Sequence, residues 1–165
     1  KEYGLEISDY VDERRDPEKS TRAACEFLKR AYKKYGSWTL AAAAFNRGSK
    51  GIENALNGQH TNSYYQLYLN EETARYVFRI LALKLIIEAP EKYGYSLSPS
   101  DYYQPVEYKT ILIDKSIQDL PQFAKSIGVT YQILKEHNPW IQNTDYKLVL
   151  TEGKKYKIRI PAKKD

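Results

Sequence analysis

Ahead of residue 93 the apolar positions recur every three or four residues, the period of helices buried on one face; beyond residue 105 they alternate, the period of strands. Residues 1–15 read as an irregular, polar lead-in. Asp16-Pro17 then predicts a helix start, with Asp as N-cap, Pro at the first helical position and Glu18 in the first turn. Thr21, Ala24, Cys25, Leu28, Ala31, Tyr32 and Tyr35 have the spacing of its buried face, and Gly36 is placed to close it in a left-handed conformation. Ser37 predicts the cap of a second helix, whose small apolar run covers 40–44 before Arg47-Gly48-Ser49 breaks it. Ile52, Ala55 and Leu56 mark a short third helix, 57–63 a polar loop and 64–69 a further short turn. A long helix follows from a cap at Asn70, with Glu71 and Glu72 complementing its positive end, to about Ala89 before Pro90.

From residue 93 to 105 the pattern dissolves into Ser, Pro, Tyr and Gly, the composition of a linker. Strands are predicted over 108–113 and 156–160. Between them lie two short helices, one capped by Ser116 with Asp119 at the capping-box position, the other running from Thr130 to Asn138-Pro139. The fold class is therefore α+β: an all-α region over 1–92, a linker over 93–105, a small βααβ module over 106–161 and a tail at 162–165.

Composition narrows the function classes. Hydrophobic residues at 42% and charged residues at 28% are those of a globular protein and exclude a disordered one. Sixteen tyrosines against four phenylalanines supply side chains with an apolar face and a polar tip, suited both to amphipathic packing and to sugar stacking. The net charge of +5 favours polyanionic partners without choosing among cell wall, anionic lipid and nucleic acid. The basic residues are dispersed except for Lys154, Lys155, Lys157, Arg159, Lys163 and Lys164, which read as a solvated strand edge and tail; with no helical stripe of cations, nucleic acid is disfavoured. The single cysteine, Cys25, excludes an internal disulfide and reads as a buried, inert thiol. No signal-peptide pattern occurs in this stretch, and the most apolar run, 76–87, is interrupted by Arg79 and Lys84 and too short to span a bilayer. His60 and His137 stand apart, without Cys or paired acids at ligand spacing, so no metal or other cofactor is expected.

Three stretches carry a family resemblance: Tyr10-Val11-Asp12-Glu13-Arg14-Arg15-Asp16-Pro17, Ser37-Trp38-Thr39-Leu40-Ala41-Ala42-Ala43-Ala44-Phe45-Asn46-Arg47-Gly48, and Glu72-Thr73-Ala74-Arg75-Tyr76-Val77. In this order they resemble the soluble-lytic-transglycosylase (goose-lysozyme-like) domain, of the membrane-bound murein transglycosylase D type. In that family a glutamate acts first as acid and then as base, turning the sugar's own 6-hydroxyl on the glycosidic carbon to give a 1,6-anhydromuramic end. That glutamate, in a Glu-Ser motif, and a Gly-Leu-Trp-Gln motif precede the segment with which this chain starts. The resemblance thus implies an incomplete lysozyme-like domain, no catalytic residue within these positions, and no activity of this chain alone.

The same resemblance implies a groove wall. Ala44-Phe45-Asn46 corresponds to the family's Ala-Tyr-Asn, so Asn46 orients substrate or backbone near the acid, and Phe45 keeps the wall while losing the tyrosine hydroxyl. The plain alternative is that both only end a helix. Tyr76 matches the tyrosine of Glu-Thr-x-x-Tyr-Val and reaches either the groove floor or the core. Glu72, in a first helical turn, and Glu13, beside Arg14 and Arg15, read as structural. The charge-alternating segment 12–17 reads as salt links, and Trp38 as core.

The order strand, helix, helix, strand resembles a LysM module. Leu120, Phe123, Ala124, Ile127, Gly128, Val129 and Thr130, then Leu134 with Asn138-Pro139, then Gly153, Ile158, Ile160 and Pro161 match its parts. It departs where Gly-Asp-Thr-Leu is replaced by Ile113-Asp114-Lys115-Ser116-Ile117 and in an enlarged loop over 141–151. Trp140, after Asn138-Pro139, is the exposed candidate for glycan stacking. Together the two resemblances imply peptidoglycan glycan strands as partner, a periplasmic or cell-envelope location, and self-association through the incomplete helical domain. The rival reading is a non-catalytic peptidoglycan-binding or scaffolding protein.

Overall fold

The computed structural model describes residues 2–142 and 145–162. Lys163 and Lys164 of the basic run, and with them all of the expected tail beyond residue 162, lie outside the described residues, as do positions 143–144 of the enlarged loop. The chain forms two compact units, one of residues 24–103 and one of residues 1–23 with 104–165.

The helical unit contains α1 (Pro17–Tyr35) from residue 24 onward, α2 (Trp38–Arg47), α3 (Ser49–Gly58) and α4 (Glu71–Glu88), with a short 3-10 turn at Tyr64–Gln66. Local chemistry sets these ends. The Asp16 carboxylate accepts from the backbone N–H groups of Glu18 and Lys19, each at 3.0 Å, and so caps α1. Gly36 ends it at φ +65°, a conformation that costs a side-chain-bearing residue but not glycine. Ser37 Oγ accepts from the Leu40 N–H at 3.4 Å and opens α2.

The core of this unit is small: Leu40, Ala43, Ala44, Ile52, Tyr64, Leu69 and Val77. Alanines on α2 let its backbone come close to α3 and α4, and the Tyr64 hydroxyl, reaching the carbonyls of Thr73 (3.0 Å) and Ala74 (2.8 Å), pins the loop onto α4. The buried face of α1 is narrower than expected. Ala31 and Tyr35 turn inward, Ala24 and Leu28 are half-buried and Phe27 joins them, while Thr21, Cys25 and Tyr32 are exposed. Cys25 is therefore a surface thiol, and Phe27 takes the inward position beside it.

In the second unit, β1 (Tyr108–Ile113) pairs antiparallel with β2 (Tyr156–Pro161) in the register Ile111↔Ile158, and α5 (Leu120–Ser126) and α6 (Tyr131–His137) complete the βααβ order. Leu120, Ala124, Leu134, Leu148, Ile158 and Ile160 form its centre. The cap of α5 is Asp119, whose carboxylate accepts from the Gln122 N–H at 2.8 Å, and not Ser116. The Ser116 hydroxyl is drawn away to the enlarged loop, where it accepts from the Leu150 N–H at 3.0 Å. That loop is built in: Ile117 and Leu148 exchange backbone hydrogen bonds of 2.8 and 2.9 Å, and Leu148 is buried.

The lead-in is less polar than it reads. Val11 is buried in the core of this unit and forms a bridge with Ile141; the Asp12 N–H donates to the Trp140 carbonyl and the Gln142 N–H to the Tyr10 carbonyl, both at 2.8 Å. A few bridge residues leave no hydrophobic period for sequence reading to detect. The charges of 12–17 are internal links, as expected: Asp12 holds the Arg14 guanidinium at 2.7 Å, and Glu13 accepts from the Glu6 N–H at 2.7 Å and from Lys19.

Candidate functional site

The α2 C-terminus and the α4 N-terminus bring two of the sequence motifs together. Thr73, on the first turn of α4, is buried, and its hydroxyl lies 2.9 Å from Asn46 Oδ1 and 2.9 Å from Asn70 Oδ1. Its single proton is shared between two amide oxygens. Asn70 Oδ1 also accepts from the Arg47 guanidinium, which is why Asn70 makes no side-chain cap to the α4 backbone. Asn46 is thus fixed by a side chain of the neighbouring helix while remaining partly accessible.

Phe45 is 45% exposed and packs edge-on against Phe27, with ring centroids 5.5 Å apart. It presents an apolar face to solvent beside Asn46. Tyr76 is half-buried, one helical turn beyond Thr73. Phe45, Asn46 and Tyr76 belong to one unit; Trp140 belongs to the other.

The two tryptophans exchange their expected environments. Trp140 is 5% exposed and stacked on Tyr156 at 5.6 Å, packed into the core of its unit. Trp38 is 56% exposed and stacked on the Tyr32 ring at 4.3 Å. The second strand supplies Tyr156 and covers Trp140; the first helical position of α2 leaves Trp38 at the surface. Thr73 and Trp38 are the two residues sequence reading undervalued. For Thr73 a signal existed, the Asn70-x-x-Thr73 spacing at a helix start, which places two polar side chains on one face.

The carboxylates near these motifs are engaged. Glu72 is exposed and paired with Arg79 at 3.1 Å, and Glu71 with Arg75 at 2.6 Å. The hydrogen bond from Arg14 holds the Asp12 carboxyl below its usual range against the opposing effect of burial. A general acid for glycosidic cleavage needs the opposite displacement, upward. Among the described residues no three His, Cys, Asp or Glu side chains gather where they could hold a metal ion, and no helix is long and apolar enough to cross a membrane.

Residues 1–68 match the family model of the transglycosylase SLT domain, and residues 109–164 that of the soluble lytic transglycosylase C-terminal LysM-like domain. The chain is similar to an SLT segment followed by a LysM-like domain. The SLT match takes in the first two sequence motifs, and the LysM-like match takes in all of α5, α6 and β2. Two curated relatives are similar to it: the membrane-bound lytic murein transglycosylase D of Escherichia coli strain K12 and that of Escherichia coli O6:H1 strain CFT073. Each is 29% identical over 148 residues, covering 86% of this chain. The chain spans 32% of the length of these relatives.

Proposed function

We propose that this chain is part of a murein lytic transglycosylase, an enzyme that cleaves the bond between N-acetylmuramic acid and N-acetylglucosamine to leave a 1,6-anhydromuramic end. In this reading the SLT segment supplies one wall of the glycan groove through Phe45, Asn46 and Tyr76, and the LysM-like domain holds the cell wall. The acid is a glutamate outside residues 1–165, and the location is the periplasm or cell envelope. The single observation that carries the reading is the Thr73–Asn46 hydrogen bond of 2.9 Å, which couples two motifs of one family into a fixed surface beside an exposed aromatic ring.

Chemically the wall needs no charge of its own. An oxocarbenium-like transition state calls for a proton donor in a desolvated pocket and for groups that hold the sugar ring in place. Phe45 excludes water along one side, and an Asn46 amide locked by Thr73 offers a hydrogen bond in a fixed direction without reorganising. The engaged state of Glu13 and Glu72 favours a second role for the chain by itself, a non-catalytic glycan binder.

Digestion of purified murein tests both. This chain alone is expected to bind sacculi and release nothing. Joined to a preceding SLT portion that carries the Glu-Ser motif, it is expected to release fragments one water lighter than hydrolysis products. Fragments with ordinary reducing ends, or a chain with no affinity for sacculi, overturn the reading.

A further inference from the structure

The unit that holds the LysM-like domain contains a cleft that none of the sequence motifs accounts for. It is a cavity of about 360 Å³ between the start of α1 and the strand β2. Five cations line it: Lys19, Arg22, Lys155, Lys157 and Arg159. Only two acids do, Asp16 and Glu18, and both are already committed. Asp16 caps α1, and Glu18 pairs with Arg159 at 2.8 Å. Lys19 pairs with Glu13. Arg22, Lys155 and Lys157 are exposed and have no carboxylate partner among the described residues. The buried, stacked pair Trp140 and Tyr156 lies behind it.

Three cations without a carboxylate partner around one hollow make an electrostatic trap for a small anion. An extended phosphate polymer requires a stripe of cations following its backbone; here the cations gather around one hollow. We propose that the cleft binds carboxylate groups of the stem peptides carried by murein glycan strands, an assignment that rests on the function proposed above. Arg22 offers a planar fork to a carboxylate, and Lys155 and Lys157, just before and within β2, add point charges. The LysM-like domain would then read the peptide as well as the sugar.

The test uses the full chain and two probes, glycan strands bearing stem peptides and the same strands stripped of them by an amidase. Wild type is expected to prefer the peptide-bearing strands by about tenfold, a preference that weakens with salt. The combined variant Arg22→Gln, Lys155→Gln, Lys157→Gln is expected to bind both probes equally, with stripped-strand affinity and thermal midpoint unchanged. Retained preference in the variant overturns the proposal, as does wild type that binds the two probes equally; in both cases the glycan reading survives. Displacement of peptide-bearing strands by inorganic polyphosphate at equal concentration overturns it in favour of a general phosphate site. Failure of wild type to bind either probe removes the glycan reading itself.

Discussion

The Thr73 hydroxyl sits 2.9 Å from the Asn46 side-chain oxygen, so the first turn of α4 holds the last turn of α2 through one buried proton. Replacing Thr73 by Val keeps the shape and removes that proton, leaving the oxygens of Asn46 and Asn70 without it. Thr73→Val is expected to destabilise the helical unit by about 1–3 kcal/mol in urea titration. Asn46→Ala should cost a similar amount, and the double variant less than the sum, since the two changes remove one interaction. Additive losses would show that the hydroxyl and the amide act separately.

Phe45 is expected to serve the groove through its ring alone. Phe45→Ala removes the edge contact with Phe27, about 1 kcal/mol of stability, and should lower affinity for peptide-free glycan strands several-fold. Phe45→Tyr leaves the wall intact and should retain both. An unchanged affinity in the alanine variant, measured by calorimetry, would take Phe45 out of the groove.

Acid should loosen the unit that holds the LysM-like domain. Burial pushes the Glu6 carboxyl up, but hydrogen bonds from Lys154, Thr151 and Tyr156 outweigh it and hold the group below its usual range; the Arg14 hydrogen bond does the same for Asp12. Both pKa values are lowered in the folded state, so on acidification the unfolded chain takes up these protons first. Their contribution is complete above the ordinary carboxylate value of about 4 and is lost as pH falls through the lower folded values. The urea midpoint is expected to drop across that acid window. Glu6→Gln should lower stability at neutral pH and flatten the acid limb; a limb of unchanged steepness would remove Glu6 from the account.

The second half of α4 is expected to drive self-association of the isolated chain. Phe78, Leu81, Leu83, Leu85 and Ile87 are all exposed on one helix, and contiguous exposed apolar surface favours association. Light scattering at micromolar concentration should find dimers or larger species, and Leu83→Glu with Ile87→Glu should return a monomer. A wild-type monomer across that range contradicts the prediction.

Elements governed by neighbours in sequence were legible. Asp16-Pro17, Gly36 and Ser37 act within one turn of themselves, so reading them placed the ends of α1 and the start of α2. Misplacements arose where a distant group decided. Ser116 and Asp119 can each cap a helix, and the Leu150 N–H, thirty-four residues away, took Ser116. Cys25 and Phe27 differ by two positions, and it is the ring that packs inward. Trp38 and Trp140 look alike locally; their exposure depends on Tyr32 in one case and on Tyr156 in the other. Of the proposed groove, Phe45 and Asn46 could be named from their motif, but their link to Thr73 needed the two helices in place.

The bridge between Val11 and Ile141 bears on the order in which the chain folds. Glu6 meets Tyr156 across 150 residues, and Asp12 meets Trp140 across nearly as many, so these contacts form only when a very long loop closes. The closure entropy grows slowly with loop length, which keeps the contacts affordable at equilibrium, but their separation makes them late. On a ribosome, residues 6–13 emerge long before their partners and wait through the synthesis of every helix described here. Shielding of Val11, and the docking of the Glu6 carboxylate on Tyr156, is therefore a closing event of folding, the step most exposed to interception by chaperone or protease.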